Sequence, residues 1–122
     1  MDRLKTRADF LRVQKGIRRS GATLTLEMCA TPEDRTLPGR LRVGFTASRK
    51  VGGAVQRNRA KRRLRAAAAA VLPLYGLPGN DYVLVARTAT LDRPFDGLVE
   101  DLAAALHAAH AKLGRSTMGG LR

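Results

Sequence analysis

Apolar residues recur at different periods along this chain, and each change of period marks an element. Over residues 22–30, Leu24, Leu26, Met28 and Ala30 alternate with Thr23, Thr25, Glu27 and Cys29. That two-residue repeat predicts a half-buried strand. Residues 41–48 repeat it, with Leu41, Val43, Phe45 and Ala47 on one face. The stretch 31–39 between them holds Pro32 and Pro38 and reads as a loop. The period then lengthens. Ala60, Leu64, Ala67, Ala68 and Val71 stand at i, i+4, i+7, i+8 and i+11, the stripe of a packed helix. Gly52-Gly53 makes a turn before that helix, and Pro73 with the run Gly76-Leu77-Pro78-Gly79-Asn80 ends it. Tyr82-Val83-Leu84-Val85-Ala86 is continuously apolar, the pattern of a strand covered on both faces. Asp92 and Pro94 open a last helix, with a core stripe of Phe95, Leu98, Leu102, Ala105, Leu106, Ala109 and Leu113, and Gly114 ends it. At the other end of the chain, Thr6-Arg7-Ala8-Asp9 has the form of a capping box with Asp in place of Glu. A helix over residues 7–15, stopped by Gly16, follows from it.

The predicted order is α-β-β-α-β-α with no internal repeat. It describes an α+β fold, an α/β sandwich in which helices pack a small sheet. One domain is expected over residues 1–114, with residues 115–122 as a flexible tail. Hydrophobic residues make up 44% of the 122 and aromatics only 4%, so the core is built from Leu, Val and Ala. Cys29 is alone and cannot form an internal disulfide, so nothing points to an oxidising compartment. The first residues are polar, and no apolar run approaches the roughly 18 residues of a membrane span. A soluble, cytoplasmic protein without a membrane partner is expected.

Charge changes the picture most. Between Asp34 and Asp81 the chain has no acidic residue, while residues 35–80 carry eleven Lys and Arg. Nearly all of the formal net charge of +13 lies there. Unscreened like charge on a third of a small domain calls for a polyanionic partner, and phosphate is the obvious one. The peak is residues 57–65, Arg-Asn-Arg-Ala-Lys-Arg-Arg-Leu-Arg, in the first turns of the Ala-rich helix. Cations there oppose the helix macrodipole at a cost of about 0.3–1 kcal/mol each. A cluster serving only the helix would sit at its other end. Side-chain charge, dipole and free N–H groups add instead into an anion site. The planar fork of Arg, which outnumbers Lys here, binds phosphate bidentately and stacks on bases, which suits RNA.

Other constellations carry little. His107 and His110 sit at i, i+3 without a third ligand in register, and read as polar residues near a helix C-terminus that favour the dipole when protonated. Glu100 and Asp101 are neighbours pointing about 100° apart, not a general acid/base pair. The chain has no GxxxxGK[ST] loop and no GxGxxG. A two-metal nuclease needs several convergent carboxylates, and none lies near the basic cluster. The chain therefore reads as a nucleic-acid binder whose chemistry is supplied by another molecule.

The segment L-R-V-G-F-T-A-S-R-K-V-G-G-A-V-Q-R-N-R-A-K-R-R-L-R at residues 41–65 closely resembles the bacterial ribonuclease P protein subunit. That family shows a strand reading R-V-G, a pair of bases, G-x-A-V and then R-N-R-x-K-R-x-x-R. The likeness extends to Arg3-Leu4-Lys5, to Asp9-Phe10 and to the strand from Asp81 to Arg87, covering roughly residues 3–113. It implies a protein subunit that binds a catalytic RNA and assists Mg²⁺-dependent removal of the 5′ leader from precursor tRNA. The Mg²⁺ is held mainly by RNA, the protein alone is not catalytic, and no obligate protein partner is evident. It also implies a left-handed βαβ crossover, against the right-handed rule. Arg57, Asn58, Arg59, Lys61, Arg62 and Arg65 match the helix that contacts the RNA subunit, and Arg49 and Lys50 match the paired bases before it. Phe10 matches the aromatic of a cleft for the single-stranded leader, with Arg7, Val13 and Phe45 assigned beside it. Phe10 reads equally as a core residue. Where many members carry a second cleft aromatic this chain has Gln14, and its first sheet strand offers only Met28 at a cleft position. Two other readings stay open: a ribosomal or RNA-chaperone protein without a role in tRNA processing, and an architectural DNA binder that would hold duplex DNA as well as structured RNA.

Overall fold

The computed structural model describes residues 1–120, with side chains as far as Gly114. The other residues and side chains of the expected tail lie outside the described residues. The strands are β1 (Asp2–Arg3), β2 (Ile17–Ser20), β3 (Leu24–Ala30), β4 (Arg42–Ala47) and β5 (Asn80–Ala86). The helices are α1 (Arg7–Gln14), α2 (Ala54–Tyr75) and α3 (Phe95–Gly120). The strands form one mixed sheet in the order β1-β4-β5-β3-β2. β4 pairs in parallel with β5, Val43 opposite Tyr82, and β3 pairs antiparallel with β5, Leu26 opposite Leu84.

The pleat sends alternate residues to two separate cores. Leu24, Leu26 and Met28 of β3, Val43 and Phe45 of β4, and Tyr82, Leu84 and Ala86 of β5 join the large core under α2 and α3. From α2 that core takes the predicted stripe of Ala60, Leu64, Ala67, Ala68 and Val71, every one buried. From α3 it takes Leu98, Leu102, Leu106 and Ala109. On the opposite face, Val83 and Val85 meet α1 through Val13 and Phe10, with Leu4 at the edge. The sheet is thus covered on both sides, with α2 and α1 on opposite faces.

Several sequence expectations are corrected. β3 is not half-buried, because Thr25 and Glu27 are buried beneath the α1 side as completely as their apolar neighbours are beneath the other. α2 passes Pro73 and ends at Tyr75, capped by Gly76 of the expected stop run. A proline in the last turn removes only one intrahelical bond, and Ala69, four residues earlier, is exposed. α3 runs past Gly114, since a glycine weakens a helix by only about 1 kcal/mol without stopping it. β1 and β2 were not expected at all.

A buried ionic knot fastens α1 to the sheet. Asp81, fully buried, receives the fork of Arg42 through Nε at 2.8 Å and Nη2 at 2.7 Å. Thr31 donates to it at 2.7 Å, and Arg12 of α1 donates as well. Asp9 joins through Arg12 at 3.2 Å and Arg42 at 3.4 Å. Burial pushes the Asp81 carboxyl up, but the hydrogen bonds from Arg42, Arg12 and Thr31 outweigh it and hold the group below the ordinary carboxylate range. Asp9 caps α1 only in part. Its N–H donates to Thr6 Oγ1 at 3.2 Å, while its carboxylate accepts from the Thr6 hydroxyl rather than from the backbone.

Candidate nucleic-acid interface

The basic helix starts without protection. Gly53 caps α2 with no side-chain hydrogen bond, and its first turn holds no acid. The first N–H groups of the helix are therefore open to an anion. Just ahead, Ser48 caps a single 3₁₀ turn (Arg49–Val51) through the Lys50 N–H, and buried Val51 pins it. Gly52 follows at φ 143°, a conformation that favours glycine. A Cβ there would also stand 2.8 Å from Gln56 Cβ. This turn sets exposed Arg49 and Lys50 directly before the helix N-terminus.

Helical phase sorts the cluster by role. Val55, Asn58, Arg62 and Arg65 line a shallow outer depression, with Val55 as much as 76% exposed. Exposed Arg59 stands beside them. Ala66, Ala69 and Ala70 are exposed too, so the outer face continues as small side chains over which a nucleic-acid backbone can approach closely. Lys61 is half-buried on the flank. Arg57 lies nearer the buried stripe. Among the described residues its Nε is the one buried side-chain donor without a partner. Leaving such a donor unmade costs about 1–3 kcal/mol, a cost to the fold alone that a bound acceptor would remove. Arg63 turns the other way: its Nε donates to Thr90 O at 2.9 Å and a second N–H to Arg93 O. It ties α2 to the start of α3 and serves the fold.

Phe45 does not line the α1 cleft. Residues 43, 45 and 47 face the large core, so Phe45 lies under α2, with the guanidiniums of Arg3 and Arg65 at 5.5 and 5.7 Å from its ring centroid. It orients two cations by cation–π contact. Arg3 thereby shares the Phe45 ring with Arg65 of the basic helix, a placement set by the parallel pairing of β1 on β4. Met28 is likewise in the large core and absent from the cleft.

The α1 cleft exists and mixes polar with apolar walls. It encloses about 210 Å³ between Phe10 and Gln14 of α1 and Arg18, Glu27, Thr46, Val83 and Val85 of the sheet. Phe10 is half-buried, its ring edge set over Gly44, where a Cβ would come within 2.5 Å of Cζ. It packs on the small core and still borders the cleft, so both readings of Phe10 hold at once. Val13 is fully buried and offers the cleft no surface. Arg7 is exposed at the start of α1 and is not among the lining residues. Reading the strand by one face only hid the cleft's polar pair. Glu27, only 4% exposed, is raised by burial, partly offset by Arg18 across the β2–β3 ladder at 3.0 Å.

His110 is not a helix-end cation. α3 continues beyond it, and its Nε2 lies 2.8 Å from Tyr82 Oη. Tyr82 also accepts from the Leu77 N–H at 3.0 Å, so its hydroxyl joins His110 and the turn just past α2 in one hydrogen-bonded chain. Burial, with His107 adding to it, lowers the His110 pKa. Among the described residues no group of three or more His, Cys, Asp or Glu could hold a metal ion. Asp9 and Asp81, which share Arg12 and Arg42, also take hydrogen bonds from Thr6 and Thr31. These donors do not fit a Mg²⁺ site.

The comparisons agree with this geometry. A family model described as Ribonuclease P matches residues 1–110. The ribonuclease P protein component of Ruegeria pomeroyi is 50% identical over 109 residues, covering 88% of this chain and 86% of that protein. The protein of the same name from Paramagnetospirillum magneticum is 52% identical over 108 residues, covering 87% and 80%. Among solved structures, the Staphylococcus aureus RNase P protein superposes with a TM-score of 0.72 at 25% identity, covering 89% of this chain and 95% of that one. The α+β fold, the acid-free basic helix and the long matches to these relatives converge: this chain belongs to the Ribonuclease P protein family.

Proposed function

We propose that the protein is the protein subunit of ribonuclease P, an endoribonuclease whose chemistry resides in its RNA. It binds that RNA subunit through the outer face of α2, with Arg49, Lys50, Arg57, Asn58, Arg59, Lys61, Arg62 and Arg65, joined by Arg3. The cleft under α1, with Phe10 as its aromatic, takes the single-stranded 5′ leader of precursor tRNA. The observation that carries the reading is the division of the molecule by its sheet. A cationic helix lies on one face and a small aromatic-edged cleft on the other, so two RNA segments can be held at once. Gln14, Arg18, Glu27 and Thr46 make that cleft one of hydrogen bonds more than of stacking. Mg²⁺ is the cofactor of the holoenzyme and is held mainly by RNA; among the described residues no carboxylate cluster suits it. The same reading includes a left-handed β4–α2–β5 crossover and action in the cytoplasm.

Reconstitution tests it. Pure protein incubated with precursor tRNA and Mg²⁺ leaves the substrate intact. Added to the cognate RNA subunit at low Mg²⁺, it restores cleavage at the mature 5′ end. Cleavage at that site by protein alone, or no effect on the RNA subunit's activity, would overturn the proposal.

A further inference from the structure

Phe95 is the first residue of α3 and, at 41% exposed, the most open of the three phenylalanines. The apolar pattern had assigned it to the core stripe. It instead borders an open depression of about 310 Å³ shared with Arg59, Arg62, Arg63 and Ala66 of α2. The depression is almost wholly apolar, walled by the ring, the Ala66 methyl and the stems of the three arginines.

The floor is rigid. Arg63 is held by the Thr90 carbonyl at 2.9 Å and by the Arg93 carbonyl, which fixes the seam between α2 and the start of α3. The charge is sorted as well. Arg93 folds over Gly97 and pairs with Asp101 at 3.0 Å, so its charge is neutralised. Arg59 and Arg62 have no ion pair among the described residues. Two cations thus stand at the rim of an apolar seat with an aromatic face. Phosphate alone would need only the cations. A base-paired duplex presents phosphates and groove edges but no base face, whereas an unpaired nucleotide presents both phosphate and face.

We infer that Phe95, with Arg59 and Arg62, forms a stacking seat for one unpaired nucleotide of the RNA subunit, beside the phosphates gripped by α2. This rests on the proposed binding of that RNA by α2. It adds a base-contacting position on α3, outside the basic helix.

The test is equilibrium binding of the full protein to the cognate RNA subunit, with Arg62→Ala as control. Phe95→Ala is expected to bind about 5- to 150-fold more weakly, the range of one base–aromatic stack. Its log–log salt slope stays unchanged, because no phosphate contact is lost. Phe95→Tyr restores affinity, whereas Phe95→Leu, which packs but cannot stack, does not. Arg62→Ala lowers the slope by about one. Wild-type affinity in Phe95→Ala, or rescue by Leu, overturns the seat while leaving the α2 reading intact if Arg62→Ala behaves as expected. An unchanged slope in Arg62→Ala overturns the α2 reading itself. As an independent readout, a photo-crosslinking phenylalanine analogue at position 95 should mark an unpaired nucleotide. Crosslinks confined to paired nucleotides sink the inference.

Discussion

A methyl group added at position 44 would perturb the cleft and leave the basic helix untouched. Gly44 lies in the middle of β4 on the face toward α1, with the Phe10 ring directly over it. A Cβ there would sit 2.5 Å from Phe10 Cζ, 2.6 Å from Cε1 and 3.1 Å from Leu4 Cβ. Ordinary carbon contacts begin near 3.5 Å, so the ring must retreat by about an ångström. Overpacking of this kind costs about 1–3 kcal/mol. Replacing glycine in a strand interior returns about 0.5–1 kcal/mol. The net loss in Gly44→Ala is therefore at most about 2.5 kcal/mol, and the protein still folds, its melting temperature lowered by about 10 °C at most. The displaced ring loses its set position at the cleft wall. Holoenzyme affinity for precursor tRNA should fall by up to the value of one stack, about 1–3 kcal/mol, while affinity for mature tRNA is unchanged. In Phe10→Ala the seat is empty and the methyl at 44 fits, so adding Gly44→Ala to it should cost almost nothing. Thermal melts measured beside the two affinities decide the matter. Gly44→Ala with wild-type stability and wild-type leader affinity would show that the ring does not rest on β4. Equal losses for both RNAs would show that the cleft does not read the leader.

Two further substitutions probe the cations and the knot. Arg63→Ala should cost about 1.5–3 kcal/mol of stability through the loss of its bonds to the Thr90 and Arg93 carbonyls, and leave the salt slope of RNA binding nearly unchanged. Exposed Arg59→Ala should do the reverse, changing stability by no more than about 0.5 kcal/mol and the slope by about one; identical behaviour of the pair in melting and salt titration would refute the division. Asp81→Asn should cost about 3 kcal/mol, the low end for breaking a buried pair, because Arg12, with 32% of its side chain exposed, can rehydrate. The folded pKa of Asp81 is lowered, so its stabilisation is present above the unfolded value of 3.8 and is lost as pH falls through the lower folded value. Denaturant melts of wild type and Asp81→Asn should converge below pH 4, and a gap that persists into strong acid would mean that the charge is not what stabilises.

Where burial follows from residue type, the sequence was readable. The α2 stripe, the Tyr82–Ala86 run of β5 and, Phe95 apart, the core of α3 are apolar and lie where their periods place them. The failures share a cause in tertiary pairing. β2 is Ile-Arg-Arg-Ser on a sheet edge, with three of its four residues exposed, so no alternation announces it. β1 is two residues long and exists only because β4 offers it a parallel edge. Thr25 and Glu27 looked solvent-facing by type. Glu27 is buried because Arg18 lies opposite it in the ladder, in a strand the polar pattern concealed. That one omission also hid the polar side of the cleft. Phe45 was misplaced for a related reason: strand parity fixes which residues share a face, not which face meets which helix.

Charge shows the same limit from the other side. Eleven cations between two distant acids imply a polyanion partner, yet they are not eleven binding groups. Arg40 pairs with Asp2, Arg42 forks onto Asp81, and Arg63 is committed to two carbonyls. Arg57 is half-buried, whereas Arg65, held over Phe45, stays exposed at the outer depression. What faces outward around the unprotected helix N-terminus is a narrower set of cations, Arg49, Lys50, Arg59, Arg62 and Arg65, with Asn58 among them. The committed arginines fix elements to one another, Arg42 across the sheet to β5 and Arg63 from α2 to the start of α3, so the outward cations are held at set distances from one another without an RNA to order them. Cations on a flexible tail would lose side-chain and backbone freedom on binding; those on α2 have already lost much of the backbone share in folding. The acid-free stretch therefore does two jobs at once. Its inward members build the platform on which its outward members present charge, and removing either class should weaken RNA binding by a different route, one through stability and the other through the salt slope.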